Sequence, residues 1–223
     1  YNDMAAGITW RDFPDFAYNS RDFFYKTFNR NPGVWPMAKN KPIFHGECFY
    51  ASGIAPAEYS ALGGDKCFAG LAEAKNAKGL YGKILTEGWR WDEMAAWHMW
   101  LGYESDILFT AMKPVCVLSR EWNWTFGSAS EVKRTLKVFN NTSKNDPIEA
   151  RWILSVDGKT ISEDKKEFSL PPGEAKQFEI TLKMPSVEKR SSGEFILACS
   201  RNGTEVFREV KNISIINTDA SPK

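Results

Sequence analysis

One acidic side chain stands where a short apolar strand would end, in the run Lys41-Pro42-Ile43-Phe44-His45-Gly46-Glu47. Pro42 can open a strand but cannot lie in the middle of a sheet. A period of two would place Ile43, His45 and Glu47 on one face. In sheets of parallel strands, catalytic groups are carried at the carboxyl ends of the strands. A salt-bridged or edge-exposed structural glutamate is the alternative that these residues leave open.

A second apolar run of strand length, 94–102, carries an aromatic residue at its end. The period of two groups Met94, Ala96, His98 and Trp100 on one face. Helical spacing over 65–87 predicts a helix between the two runs, which Gly88 would stop. Strand, helix and strand together predict two parallel strands joined by a crossover. Glu47 and Trp100 would then lie at the same sheet edge, although a buried core tryptophan is the simpler interpretation of Trp100.

The remainder of the chain changes character near Pro114. Short alternating segments separated by turn residues predict a β-sandwich of immunoglobulin type. The dipeptides Asp157-Gly158 and Asn202-Gly203 are typical of tight hairpins. We therefore predict an α/β domain over 1–112, with a further helix over 20–29, and an immunoglobulin-like β-sandwich over 113–223. The predicted strands are 113–118, 132–139, 148–156, 167–170, 175–184, 194–199, 205–210 and 212–216.

Composition excludes several classes of function. The net charge of +1 gives no basis for binding nucleic acid or an anionic membrane surface. No apolar run approaches the roughly 20 residues that a membrane helix needs. The chain has only two histidines, and Cys48, Cys67, Cys116 and Cys199 lack metal-site spacing, so we expect no metal and no cofactor. The four cysteines could pair in three ways or remain reduced.

The run Lys41-Pro42-Ile43-Phe44-His45-Gly46-Glu47 resembles the seventh-strand motif of clan A glycoside hydrolases, which are retaining enzymes with a (β/α)₈ barrel. In that clan the glutamate ending Lys-Pro-Ile-x-x-Gly-Glu is the nucleophile. The segment Ala96-Trp97-His98-Met99-Trp100 is similar to the eighth strand, whose final tryptophan lines the sugar subsite. Residues 114–217, with Pro171-Pro172-Gly173-Glu174, resemble the β-sandwich that follows the barrel in β-galactosidase-like and agarase-like members.

The resemblance implies a partial (β/α)₈ barrel, comprising strands seven and eight with flanking helices, followed by the sandwich. It implies a retaining glycosidase fragment acting on a poly- or oligosaccharide. Glu47 would be the nucleophile, and Trp100, His45 and His98 would border the substrate. The clan's acid/base follows an asparagine, but this chain has no Asn-Glu dipeptide. We therefore expect the isolated chain to be inactive and its partner to be the missing N-terminal barrel segment, in the same parent chain or in a second polypeptide.

Two other functions remain open at this stage. The sandwich could be a non-catalytic carbohydrate-binding or cell-surface module, or the chain could be a structural or interaction domain. The first residues lack a signal peptide and an initiating methionine, which favours a chain cut from a longer one. The Asn-x-Ser/Thr sequons, together with the implied action on polysaccharide, favour a secreted or periplasmic location. The sugar, the linkage and the choice of endo or exo action are not encoded in these segments.

Overall fold

The computed structural model describes residues 42, 44–48, 64–69, 71–91, 93–99 and 106–217. The chain divides into two units, 1–112 and 113–223. The predicted helix over 20–29 lies outside the described residues. In the first unit, the described elements are β1 (Phe44–Cys48), α1 (Leu71–Trp91), β2 (Ala96–Met99) and α2 (Asp106–Ala111).

The two strands of the first unit are parallel neighbours. Phe44 lies opposite Ala96, and Cys48 lies opposite Met99. Parallel strands cannot be joined by a tight turn, and α1 occupies the connection between them. The predicted strand–helix–strand arrangement is confirmed. The second strand is shorter than predicted, because within the described part of 94–102 only Ala96–Met99 is strand.

The crossover helix differs from its prediction at both ends. A 3₁₀ turn, Gly64–Phe68, precedes α1, which continues through Gly88 to Trp91. A glycine costs a helix interior about 1 kcal/mol relative to alanine. Here all of 82–90 is buried, and that packing outweighs the local preference.

Glu93 ends the helix in place of the predicted glycine. Its φ is 61°, in the left-handed region that a helix C-cap requires. The N–H of Glu93 donates to the carbonyl of Arg90 at 3.1 Å, and the N–H of Met94 donates to the carbonyl of Trp89 at 3.0 Å. These two bonds form a Schellman motif. Because the left-handed residue is a glutamate, no glycine signals the helix end in the sequence.

The second unit consists of two β-sheets. One has five strands in the order β4-β10-β9-β6-β7, and the other has three in the order β3-β5-β8. The ring of Trp152 on β6 meets that of Phe178 on β8, with centroids 5.6 Å apart, so the sheets pack face to face. The strands are β3 (Val115–Ser119), β4 (Thr125–Gly127), β5 (Glu131–Asn140), β6 (Ile148–Val156), β7 (Lys159–Phe168), β8 (Ala175–Lys183), β9 (Ser191–Arg201) and β10 (Thr204–Ile216).

Both predicted hairpins are present. Asp157 and Gly158 have φ of 48° and 75°, and Asn202 and Gly203 have φ of 50° and 74°. Two successive positive φ values match the twist of the flanking strands, which explains the strong hairpin preference of these dipeptides. The predicted strand 167–170 has the wrong bounds, because β7 begins at Lys159 directly after the first hairpin and ends at Phe168. Before Phe168 its residues are exposed and, apart from Ile161, polar, so no apolar period revealed it.

The last strand was predicted as two pieces but is one, β10. In the structure, Glu209 and Lys211 alternate with exposed residues and are buried, with Oε1 of Glu209 2.7 Å from Nζ of Lys211. Nζ of Lys211 also lies 4.3 Å from the ring centroid of Trp122. A buried charge is tolerated when it is paired, so the strand continues through this point.

A short strand was missed entirely. Residues Thr125–Gly127 pair in parallel with the end of β10, from Ser214 to Ile216. Three residues are too few for an apolar period to show, and the pairing joins positions about 90 residues apart in sequence.

Candidate functional site

The carboxyl ends of β1 and β2 meet at one edge of the parallel pair. Cys48 and Met99, the last residues of the two strands, are register partners. Glu47 precedes Cys48, and Trp100 follows Met99 in sequence. Trp100 lies outside the described residues, and for Glu47 the structure describes only the backbone, which is part of β1.

The two faces of this strand pair differ in what covers them. The Trp97 ring of β2 packs against the Trp89 ring of α1, with centroids 5.7 Å apart at 47°. This is the helix-covered face. Ala96 and His98 alternate to the other face and are exposed. Phe44, the register partner of Ala96, is 65% exposed. We call the side carrying Phe44, Ala96 and His98 the open face.

One feature of the predicted faces is corrected by the structure. Met94 is not part of the β2 face, because it is buried and its N–H completes the cap of α1. In β1, the backbone of His45 is the register partner of Trp97, and the pairing shifts between His45 and Cys48. The predicted grouping of His45 with Glu47 on one face stays a prediction.

A second carboxylate is needed for retaining hydrolysis, about 5 to 5.5 Å from the nucleophile. Three other acids of this unit have no family motif around them in the sequence: Glu93 is exposed and caps α1, while Glu58 and Glu104 lie outside the described residues. Within the described ranges, no three or more side chains of His, Cys, Asp or Glu come together as a metal site. None of the helices described in the chain has the length and apolar character to cross a bilayer.

The sandwich has a depression of its own, of about 370 Å³. It lies beside the β6–β7 hairpin and was not anticipated from sequence. Its lining residues are serines, two acids, an asparagine and two glycines, with no aromatic residue among them. The residues are Ser155, Asp157, Gly158, Ser192, Gly193, Glu194 and Asn212.

No protein-family model matches the chain, and a search of curated proteins finds no match. Solved structures similar to it include a β-glucosidase from Listeria innocua in complex with gluconolactone, at 9% identity and a TM-score of 0.37, covering 46% of this chain and 16% of that one. A glycosyl hydrolase family 2 member from Bacteroides cellulosilyticus is 8% identical with a TM-score of 0.33, covering 45% and 14%.

A third similar structure is not an enzyme fragment by its description. The CARDB domain of a Pyrococcus furiosus protein, in complex with di-metal ions, is 11% identical with a TM-score of 0.32, covering 46% of this chain and 91% of that one. Structural neighbours of the chain thus include glycoside hydrolases at weak similarity, and the chain spans about one sixth or less of their length. At such TM-scores these likenesses carry no argument about the fold or the activity.

Proposed function

We propose that this chain is the C-terminal part of a retaining glycoside hydrolase acting on a poly- or oligosaccharide, with Glu47 as its nucleophile. The observation that carries the proposal is the parallel pairing of β1 and β2, whose last residues, Cys48 and Met99, lie opposite each other. Glu47 directly precedes Cys48 and Trp100 directly follows Met99 in sequence, so both would lie near this one sheet edge. A carboxylate and an aromatic ring are the groups that a sugar ring needs at a cleavage site.

The chemistry would proceed in two displacements. The Glu47 carboxylate attacks the anomeric carbon and forms a glycosyl–enzyme ester, while an acid outside this chain protonates the departing glycosidic oxygen. Water, deprotonated by the same group, then attacks the anomeric carbon and releases Glu47. Trp100 would stack on the sugar face, and His98 would border the substrate from the open face.

We propose that the missing acid is supplied by further barrel strands, either upstream in the parent chain or in a second polypeptide. A two-stranded sheet is at best marginally stable alone. The described part of the first unit has just such a pair, with Phe44 and Phe68 more than 60% exposed. Added strands would cover apolar surface of this kind and complete the pair of carboxyl groups.

We propose that the second unit is a sandwich of immunoglobulin type. One sheet contains β3, β5 and β8, which correspond in chain order to strands A, B and E of such domains. The other contains β6, β7, β9 and β10, which correspond to strands C, C′, F and G, together with the short β4. Trp152 lies on β6, in the place of strand C, and its ring packs against the other sheet, as the buried tryptophan of immunoglobulin domains does.

The test uses the intact enzyme that contains the upstream segment. Glu47→Gln should lower turnover of a panel of aryl glycosides by at least about 1000-fold, because the amide cannot form the ester intermediate. A 2-fluoro glycoside that traps the intermediate should label the peptide containing Glu47, as read by mass spectrometry. Glu93→Gln is the matched control, since that side chain is exposed at a helix cap, and it should retain full activity. Undiminished turnover by the Glu47→Gln enzyme would refute the assignment.

The isolated 223-residue chain should show no turnover, and activity should return on co-expression with the upstream segment. Binding of a polysaccharide by residues 113–223 alone, without turnover by the intact protein, would instead support a carbohydrate-binding module.

A further inference from the structure

The outer face of the five-stranded sheet is organised in rows that run across the strands. The Trp152 ring on β6 packs against the other sheet, so its neighbours Arg151 and Ile153 lie on the outer face. Register partners on adjacent strands share a face, so each outer position of β6 extends into a row. On β6, β9 and β10, an acidic row (Glu149, Ser200, Glu205) is followed by a basic row (Arg151, Ala198, Arg208), an apolar row (Ile153, Ile196, Val210) and a polar row (Ser155, Glu194, Asn212).

The apolar row lies on the side of the sheet that faces away from the core. An antiparallel sheet with one covered face normally carries polar residues on its other face. Here Val210 is 46% exposed at one end of the row, and Ile161 on β7 is 42% exposed beyond the other end. Ile153 and Ile196 lie between them and are nearly buried. An apolar surface rimmed by polar residues is typical of a contact site between proteins.

The basic row and the polar row lie at equal distances on either side of the apolar row. On β9, for example, Ala198 and Glu194 are each two residues from Ile196, or about 6.7 Å along the strand. The polar row lines the depression of about 370 Å³, whose lining includes Asp157 and Glu194 and no basic residue. Opposite charges therefore lie symmetrically about an apolar line. A contact between two identical surfaces requires this kind of self-complementarity.

The two arginines of the basic row have donors to spare. Arg151 pairs with Glu163 at 2.7 Å, and Arg208 pairs with Glu205 at 3.2 Å. The arginine side chains are nevertheless 40% and 45% exposed. Arg151 uses Nε and Nη2 in its pair, and Arg208 uses Nη1. A guanidinium has five N–H donors, so both can bind a further carboxylate.

We propose that the outer face of the five-stranded sheet binds a second copy of this chain, with a two-fold axis along the apolar row. Rotation about this line places the apolar row on its own counterpart and the basic row on the polar row. Glu194 of each copy then lies over Ala198 of the other, whose small side chain leaves room for it. Arg151 and Arg208 flank that position on the neighbouring strands.

The size of the face agrees with a reversible dimer. Strands β7, β6, β9 and β10 are neighbours in the sheet and together span about 19 Å. The nine residues of β6 extend about 30 Å. The face therefore has about 600 Å² per copy, or about 1,200 Å² for the pair, at the lower end of specific interfaces. We expect a dimer that dissociates on dilution, and this expectation does not depend on the proposed function.

Sedimentation equilibrium of the 223-residue chain tests the contact without any activity. The mass of the parent chain should rise from one copy to two as its concentration increases to about 200 μM. Glu194→Arg adds a cation opposite the basic row, whereas Arg151→Glu combined with Arg208→Glu makes that row acidic. Each variant should weaken the dimer at least about 100-fold, because like charges would then meet across the axis.

An equal mixture of these two charge variants should dimerise again. In the mixed pair each introduced charge meets an opposite one, so both symmetric contacts are restored, which a general loss of stability could not produce. Lys183→Glu is the matched control, because it reverses a charge that is 81% exposed on β8 of the other sheet. This control should dimerise as the parent does. Val210→Lys is a second perturbation and should weaken the dimer, because the axis brings the two copies of this residue together.

Four results would overturn the inference. They are a parent chain that stays monomeric throughout this concentration range, self-association that both charge variants leave unchanged, a dimer unaffected by Val210→Lys, and a mixture that remains monomeric although the circular dichroism of both variants matches the parent. Glycosidase activity of the intact enzyme is not a readout here, so failure of the proposed function and failure of this contact are separate outcomes.

Discussion

One of the buried cations of the β-sandwich, Arg134, offers a quantitative test of how that unit is held together. Arg134 on β5 is 3% exposed and aligns with Leu136 and Val138, which are fully buried. Its guanidinium carbon lies 5.0 Å from the ring centroid of Trp124 and 4.9 Å from that of Phe126.

The same guanidinium holds the segment before β4. Its Nη2 donates to the backbone carbonyl of Asn123 at 2.5 Å and to Oδ1 of the same residue at 3.2 Å. Burial lowers the pKa of Arg134, and the nearby Glu121 carboxylate opposes that effect. An arginine stays charged under such conditions, so the site must compensate a buried cation by these bonds and ring contacts.

Replacement by lysine keeps the charge and most of the stem but loses the planar fork. Loss of the hydrogen bonds to Asn123 should cost about 1 kcal/mol, the net value of an ordinary hydrogen bond, because this residue is exposed and water can replace the donor. Weaker contact with two rings costs about 0.5 kcal/mol each. Arg134→Lys should therefore destabilise the sandwich by about 2 kcal/mol. Arg134→Ala also loses the packing of the stem and should cost about 3 kcal/mol.

The assay is urea unfolding of the full chain, with hydrogen exchange of peptides from 113–217 reporting this unit separately. A slope of about 2 kcal/mol per molar urea converts the expected loss in Arg134→Lys into a midpoint about 1 M lower. Arg151→Lys is the control, because Arg151 forms an exposed pair with Glu163 at 2.7 Å and should change stability by less than about 0.5 kcal/mol. An Arg134→Lys chain as stable as the Arg151→Lys chain would refute this reasoning.

Three further predictions concern backbone and cysteine positions in the sandwich. Gly193→Ala should destabilise the unit by more than about 2 kcal/mol in the same urea assay, because an added Cβ would lie 2.3 Å from the carbonyl oxygen of Ser155. Ser192→Ala, at the exposed neighbouring residue, should be nearly neutral. Equal urea midpoints for the two variants would contradict the predicted clash. Ala129→Gly should raise the free energy of unfolding by about 0.5 to 1 kcal/mol, since Ala129 has φ of 55° and glycine adopts that region without a Cβ penalty. An unchanged or lower urea midpoint would count against this prediction. Burial raises the pKa of the Cys199 thiol, so little reactive thiolate forms in the folded chain. Iodoacetamide at pH 8 should therefore leave Cys199 unlabelled in the native chain but label it in urea. Rapid labelling of the native chain would contradict this and show that the strand opens.

The candidate site shows where reasoning from sequence succeeds and where it stops. The parallel pair β1–β2 was predictable, because two apolar runs flanking a helical pattern leave few other ways to pair. The register shift between His45 and Cys48 was not predictable, since it interrupts simple alternation and leaves no mark in composition. The end of α1 was hidden for a similar reason, because its left-handed cap is Glu93 and not a glycine.

The sequence by itself determined the features that depend on neighbours along the chain. The hairpins at Asp157-Gly158 and Asn202-Gly203 follow from the φ values that these residues accept, and most strands follow from apolar alternation. Only the tertiary structure decided the features that depend on distant partners. These are the parallel pairing of β4 with the end of β10, the passage of β10 through the buried Glu209–Lys211 pair, and the register shift of β1 against β2 between His45 and Cys48. Local preferences amount to about 1 kcal/mol per residue, and burial and pairing across the sheets outweigh them.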